Sequence, residues 1–230
     1  LELLGQILEY FTYSPRDLLH FSARTYYRLF ELQNRAVWPA QLAALAAGSA
    51  LLWLVARPGG AWRSRAAAAL LAAAWLFVAW SYLAGQLATV HLAGTHFAWA
   101  FAVQAALLLA CAAALPGLAF AGAAVRRRTG AAIVAVAIFA YPLIAPLGGR
   151  PWAQAELFGI APDATAAATL GVLAASTGRA RSWLMQLPLA WCAVTGTTLW
   201  TLNAPAFWVM PALGAAAMSL SIARRDRRPA

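Results

Sequence analysis

Imidazole nitrogens and carboxylate oxygens are the donors that hold Zn2+ or Cu2+, and the chain offers His20, His91, His96, Glu156 and Asp163 outside its apolar runs. His91, His96, Glu156 and Asp163 are the candidate metal set. The H-x4-H spacing of His91 and His96 matches no standard ligand pair. The simpler reading is a hydrogen-bonded surface network in which Arg150 pairs with Glu156 or Asp163. Arg150, Trp152 and Gln154 follow a Gly148-Gly149 pair that frees the backbone to fold back. That turn could line a small vestibule, with Trp152 as a wall and Arg150 drawing an anion. It could equally cap a short helix pair, and the cap is the simpler reading. GxSxG, HExxH, GxxxxGK[ST] and CxxC are all missing, as are paired haem ligands within the apolar runs. No catalytic residue and no cofactor are expected.

Seven apolar segments must position these groups: 36–56, 66–83, 97–125, 131–147, 164–177, 183–202 and 206–223. A bilayer-spanning helix needs about 20 apolar residues. The fifth segment is short, the fourth carries Pro142 and Pro146, and the third is long enough to tilt or to bend at Pro116. No Asp, Glu, Arg or His lies inside any of them. Ion-coupled transporters keep titratable groups at membrane depth, so a proton-driven pump is not expected. Gln104, Gln186, Tyr141, Thr195, Thr197 and Thr198 are expected to form helix-to-helix hydrogen bonds.

Composition sets the frame. Of 230 residues, 63 % are hydrophobic and 10 % charged, too few charges to cover a soluble surface. A water-soluble enzyme and a nucleic-acid binder are therefore excluded, despite a net charge of +10. Every basic residue is Arg, and Arg57, Arg63 and Arg65, Arg126–Arg128, Arg179 and Arg181, and Arg224, Arg225, Arg227 and Arg228 follow odd-numbered segments. Basic clusters mark cytoplasmic loops. The pattern predicts seven transmembrane helices, N-terminus periplasmic and C-terminus cytoplasmic, in a bacterial inner membrane. Trp38, Trp99, Trp200 and Trp208 then mark outer ends, and Trp53, Trp62 and Trp183 inner ends. Cys111 and Cys192 fall in apolar runs and read as packing residues.

The chain divides into an N-terminal amphipathic interfacial segment (1–35), a helix bundle (36–223) and a basic tail (224–230). The opening LELLGQILEY has no basic stretch, so no cleavable signal peptide is expected. Ser14-Pro15-Arg16-Asp17 reads as a helix start. Leu18, Leu19, Phe21, Tyr26, Leu29 and Leu32 then fall on one side, and His20, Arg24, Tyr27, Arg28 and Glu31 on the other, with Glu31 facing Arg35 at i,i+4. This helix reads as a collar on the bundle, or as a docking face for a partner protein.

The stretches SPRDLLHFSARTYYRLFELQNRAVWP and PLGGRPWAQAELFGIAPDAT resemble a bacterial family of integral membrane proteins defined as a domain of unknown function. Some of its members are labelled transporter permeases. The resemblance runs over nearly the whole chain and implies a bacterial multi-pass membrane protein. It supplies no activity and no catalytic residue. The expected function is a non-catalytic accessory or scaffold subunit of a membrane assembly, with lipid and other membrane subunits as partners and no nucleic acid. The alternative is a small permease for a neutral solute or metal ion, with an access site on the periplasmic face and Gln104, Gln186 and Thr195–Thr198 along the path.

Overall fold

A computed structural model describes residues 21–58, 60–113, 118–120, 123–178 and 180–222. The described residues form an all-helical bundle. Its helices are α1 (Ala23–Ala36), α2 (Ala40–Ala56), α3 (Ala61–Val78), α4 (Gly94–Ala113), α5 (Ala124–Ala135), α6 (Pro162–Ala175), α7 (Ala180–Thr201) and α8 (Val209–Ile222). Two helices change register near their ends. α3 runs into a π-turn at Ala79–Ala84, and α5 into another at Val136–Ala140 followed by short turns at Tyr141–Leu143 and Ile144–Leu147. Those turns absorb Pro142, which has no N–H to donate and would break a regular helix.

Each of the seven apolar segments contains a helix, yet among the described residues only three helical stretches are long and apolar enough to cross a membrane: Ala61–Thr89, Gly94–Ala113 and Ala124–Leu147. α1 and α2 together would make a fourth, bent by 96°. α6 has 14 residues, about 21 Å at 1.5 Å per residue, against a hydrocarbon core of about 30 Å. The third segment is not one continuous helix to residue 125. Leu118–Phe120 is non-helical, Ala119 pairs with Thr177 through two backbone hydrogen bonds of 2.8 and 2.9 Å, and Arg126–Arg128 lie in α5 itself.

α6 is the axis of the bundle. Every residue from Pro162 to Ala175 is buried, because α3, α5, α7 and α8 all pack on it. The approach to α5 is backbone to backbone. A Cβ at Gly130 would lie 2.5 Å from the Gly171 carbonyl oxygen, and one at Gly171 would lie 2.8 Å from the Val134 nitrogen. Trp75, fully buried, donates its indole N–H to Thr169 of α6 at 2.8 Å. Around this core the outer surfaces stay apolar: Trp80, Trp99, Leu76, Leu109 and Phe139 are all exposed.

The described helix α1 begins at Ala23, capped by Ser22, which accepts from the Thr25 N–H at 3.3 Å; residues 1–20, and with them Ser14–Asp17, Leu18, Leu19 and His20, lie outside the described residues. Its polarity differs from the expected one, since Leu32 is exposed and Glu31 buried. Tyr26, Leu29, Phe30 and Gln33 face inward, where Phe30 stacks on Tyr82 with ring centroids 4.9 Å apart. Asn34 donates to the carbonyls of Ala153 and Ala155 at 2.9 and 2.8 Å, and Gln33 donates to Ser81 at 2.8 Å. The Asn34 bonds fasten α1 to the 148–161 loop, and the Gln33 bond fastens it to the π-turn after α3.

Candidate functional site

Asp163 stands in the first turn of α6 and has no exposed surface. Three donors converge on it. Trp191 N–H and Thr195 O–H, four residues apart on one face of α7, reach Oδ1 at 2.7 and 2.8 Å; Tyr141 O–H reaches Oδ2 at 3.1 Å. Hydrogen bonds of this kind favour a carboxylate. Glu156, in the loop before α6, is also buried, close enough to Asp163 for each acid to disfavour ionisation of the other. Glu156 Oε2 has no hydrogen-bond partner, and burial, reinforced by Asp163 beside it, pushes the Glu156 carboxyl well above its usual range while Arg150 pulls the other way. The expectation of an interior without titratable groups is corrected: the fold draws both acids from the chain outside the apolar segments into the core.

Arg150 lies beside the pair. Its Nη2 is 3.9 Å from Glu156 Oε1, beyond hydrogen-bond reach, and its guanidinium sits 3.7 Å above the Tyr27 ring. The side chain is 15 % exposed, and its Nη1 is buried without a hydrogen-bond partner. Arg150 also lines a cleft of about 520 Å3 with Arg24, Tyr27, Gln154 and the apolar Ile144, Leu147 and Val209. Pro162, Trp191 and Thr195 also wall a small cavity of about 30 Å3 together with Tyr26, Tyr82 and His91, large enough for one water molecule. The Tyr82 hydroxyl is buried and unpartnered.

The other expected site residues separate. Among the described residues no group of three or more His, Cys, Asp or Glu is placed to hold a metal. His96 is exposed; His91 packs between Phe21 and Phe97, and its Nδ1 accepts the Ala93 N–H at 3.0 Å. Trp152 is 63 % exposed and lines a separate groove with Asn34, Arg35 and Trp38, so it is no wall of the Arg150 cleft. The polar face of α1 is not wholly free for a partner. Glu31 binds Arg28 at 2.6 Å and Arg35 at 2.7 Å and accepts from Gln154 at 3.4 Å. Arg28 and Gln154 hold its carboxyl below the usual range against the opposing pull of burial. Arg24 and Arg28 remain exposed. Along the expected path, Gln104 donates to the Leu184 carbonyl at 3.0 Å, while Gln186 and Thr197 face outward.

Tyr141 and Thr195 hydrogen-bond across the bundle as expected, but sequence reasoning missed Trp191 as a donor and Asp163 as the shared acceptor. The available signal was the i,i+4 spacing of Trp191 and Thr195, which places two polar-tipped side chains on one stripe of an apolar helix. Tyr82 lies within one π-turn and Tyr141 directly follows the other, and such register shifts recur at functional sites. A family described as one of unknown function, DUF6064, matches residues 23–229. No curated protein and no solved structure matches the chain.

Proposed function

The chain belongs to the family of unknown function DUF6064, so its role has to be argued from its own residues, and we propose that it is a small permease of a bacterial inner membrane. The buried Glu156–Asp163 pair beneath the Arg150 cleft carries this reading. A buried carboxyl is costly in a bundle surrounded by lipid, and such groups mark solute or proton pathways. In this reading all seven apolar segments cross the bilayer, including the short α6 inside its jacket, with the N-terminus periplasmic. The cleft admits the solute, and the proton held by the acid pair is the coupling element. The apolar outer surface of α3, α4 and α5 supports the membrane setting.

Purified protein reconstituted in liposomes, assayed with radiolabelled short organic acids and their amides, tests it. Uptake above protein-free liposomes is expected, falling at least tenfold in Asp163→Asn and changing its pH dependence in Glu156→Gln. Absence of uptake for every compound overturns it. The second reading, an accessory subunit, is supported by the exposed groove of Trp38, Trp152 and Arg35. Mild-detergent extraction and intact-complex mass spectrometry separate the two, since only an accessory subunit leaves the membrane in fixed stoichiometry with other proteins.

A further inference from the structure

The cleft is built for one end of a particular kind of molecule. Its cation is weakly neutralised: Arg150 meets no carboxylate within hydrogen-bond distance, and the nearest carboxyl oxygen, Glu156 Oε1, is 3.9 Å away. Guanidinium is a fork of donors matched to a planar or tetrahedral oxyanion. Here the fork is pre-set by the Tyr27 ring beneath it, and a buried nitrogen, Nη1, lacks a partner. A second cation, Arg24, and the Gln154 amide share the lining, while the remaining walls include Ile144, Leu147 and Val209. About 520 Å3 is space for a small molecule rather than a single ion.

We infer that this cleft binds an amphiphilic oxyanion, its carboxylate or phosphate head on Arg150 beside Arg24 and its apolar body against Ile144, Leu147 and Val209. The inference rests on reading the cleft as the permease's access site. It concerns binding alone and does not require transport. Either a soluble organic acid or an anionic lipid headgroup can supply that chemistry.

The test uses the whole protein in mild detergent. Thermal unfolding is followed against hexanoate and against hexanamide, its uncharged analogue. Intact-complex mass spectrometry is run with added phosphatidylglycerol and, separately, phosphatidylcholine. Saturable stabilisation by hexanoate and not by hexanamide is the expected result for a soluble acid. Selective retention of phosphatidylglycerol, displaced by hexanoate, is the expected result for a lipid headgroup. In either case Arg150→Gln weakens binding about tenfold or more, the scale of a charge-assisted pair. Ala206→Phe, which fills the cleft and leaves Arg150 in place, also removes binding, so loss in both variants is not a folding failure of one. Equal effects of hexanoate and hexanamide, no binding in either arm, or binding untouched by Arg150→Gln or Ala206→Phe overturns the inference. Binding without uptake in liposomes leaves it standing and removes the permease; uptake without binding in either arm does the reverse.

Discussion

Glu156 and Asp163 are chemically similar acids given opposite tasks by their surroundings. Asp163 accepts from three buried donors, and truncation to Ala strands all of them. An unsatisfied buried donor costs about 1–3 kcal/mol, so Asp163→Ala is expected to lower the melting temperature sharply. Glu156 behaves differently. Its folded-state affinity for a proton exceeds that of the unfolded chain, whose carboxyl titrates near 4.5. Below that pH both states are protonated and the group is neutral to stability. As pH rises the unfolded chain ionises first, and folding loses about 1.4 kcal/mol per pH unit until the folded carboxyl follows. Glu156→Gln removes that slope. Melting curves between pH 5 and 7 should therefore be flatter in the variant than in the parent chain; parallel curves would show that Glu156 holds no extra proton.

Among the elements, the contact of α5 with α6 is the least forgiving. The Gly130 and Gly171 backbones are so close that a methyl group on either meets main chain at 2.5–2.8 Å, and main chain cannot rotate aside as a side chain can. Gly130→Ala and Gly171→Ala should each destabilise by about 2–3 kcal/mol. Gly149→Ala, at a φ of +73° with nothing within 4 Å, should cost about 1 kcal/mol from backbone strain alone. A denaturation series that ranks Gly149→Ala as the worst of the three would refute the close packing. This contact could not be read from the sequence, although the helices could. Apolar length and composition are local properties, and they locate α2 through α8. The enclosure of α6 is not local: its Ala-rich stretch looks alike on every side, and only its neighbours decide that all sides are covered. The acid site was half legible for the same reason. Glu156, Asp163 and Arg150 stood out by type, but the donors of Asp163 come from the Tyr141–Leu143 turn and from α7, 22 to 32 residues away.

At the scale of the molecule, the arginine clusters and the apolar exterior bear on orientation together. A reporter fused after α8 should be active on the cytoplasmic side and silent on the periplasmic side, since Arg224, Arg225, Arg227 and Arg228 follow that helix. Periplasmic activity would reverse the assignment and place the Arg150 cleft at the opposite face. The cleft, the latch made by α1 and the 148–161 loop are fixed to one another through Asn34 and Glu31, so whichever side they occupy, they occupy together.

The burial of α6 on every side also sets an order of events during synthesis. Most helices of a bundle have an apolar face that can rest in lipid while the remainder of the chain is made. α6 has Asp163, Thr165 and Thr169 along its length, and two of the helices that cover it, α7 and α8, lie later in the chain. It is made after α3 and α5 but before the other half of its surroundings exists. Until Trp191 and Thr195 of α7 arrive, Asp163 lacks two of its three donors. The centre of the folded bundle is thus completed last, and a ribosome stalled before α7 would hold a chain whose polar core still faces outward.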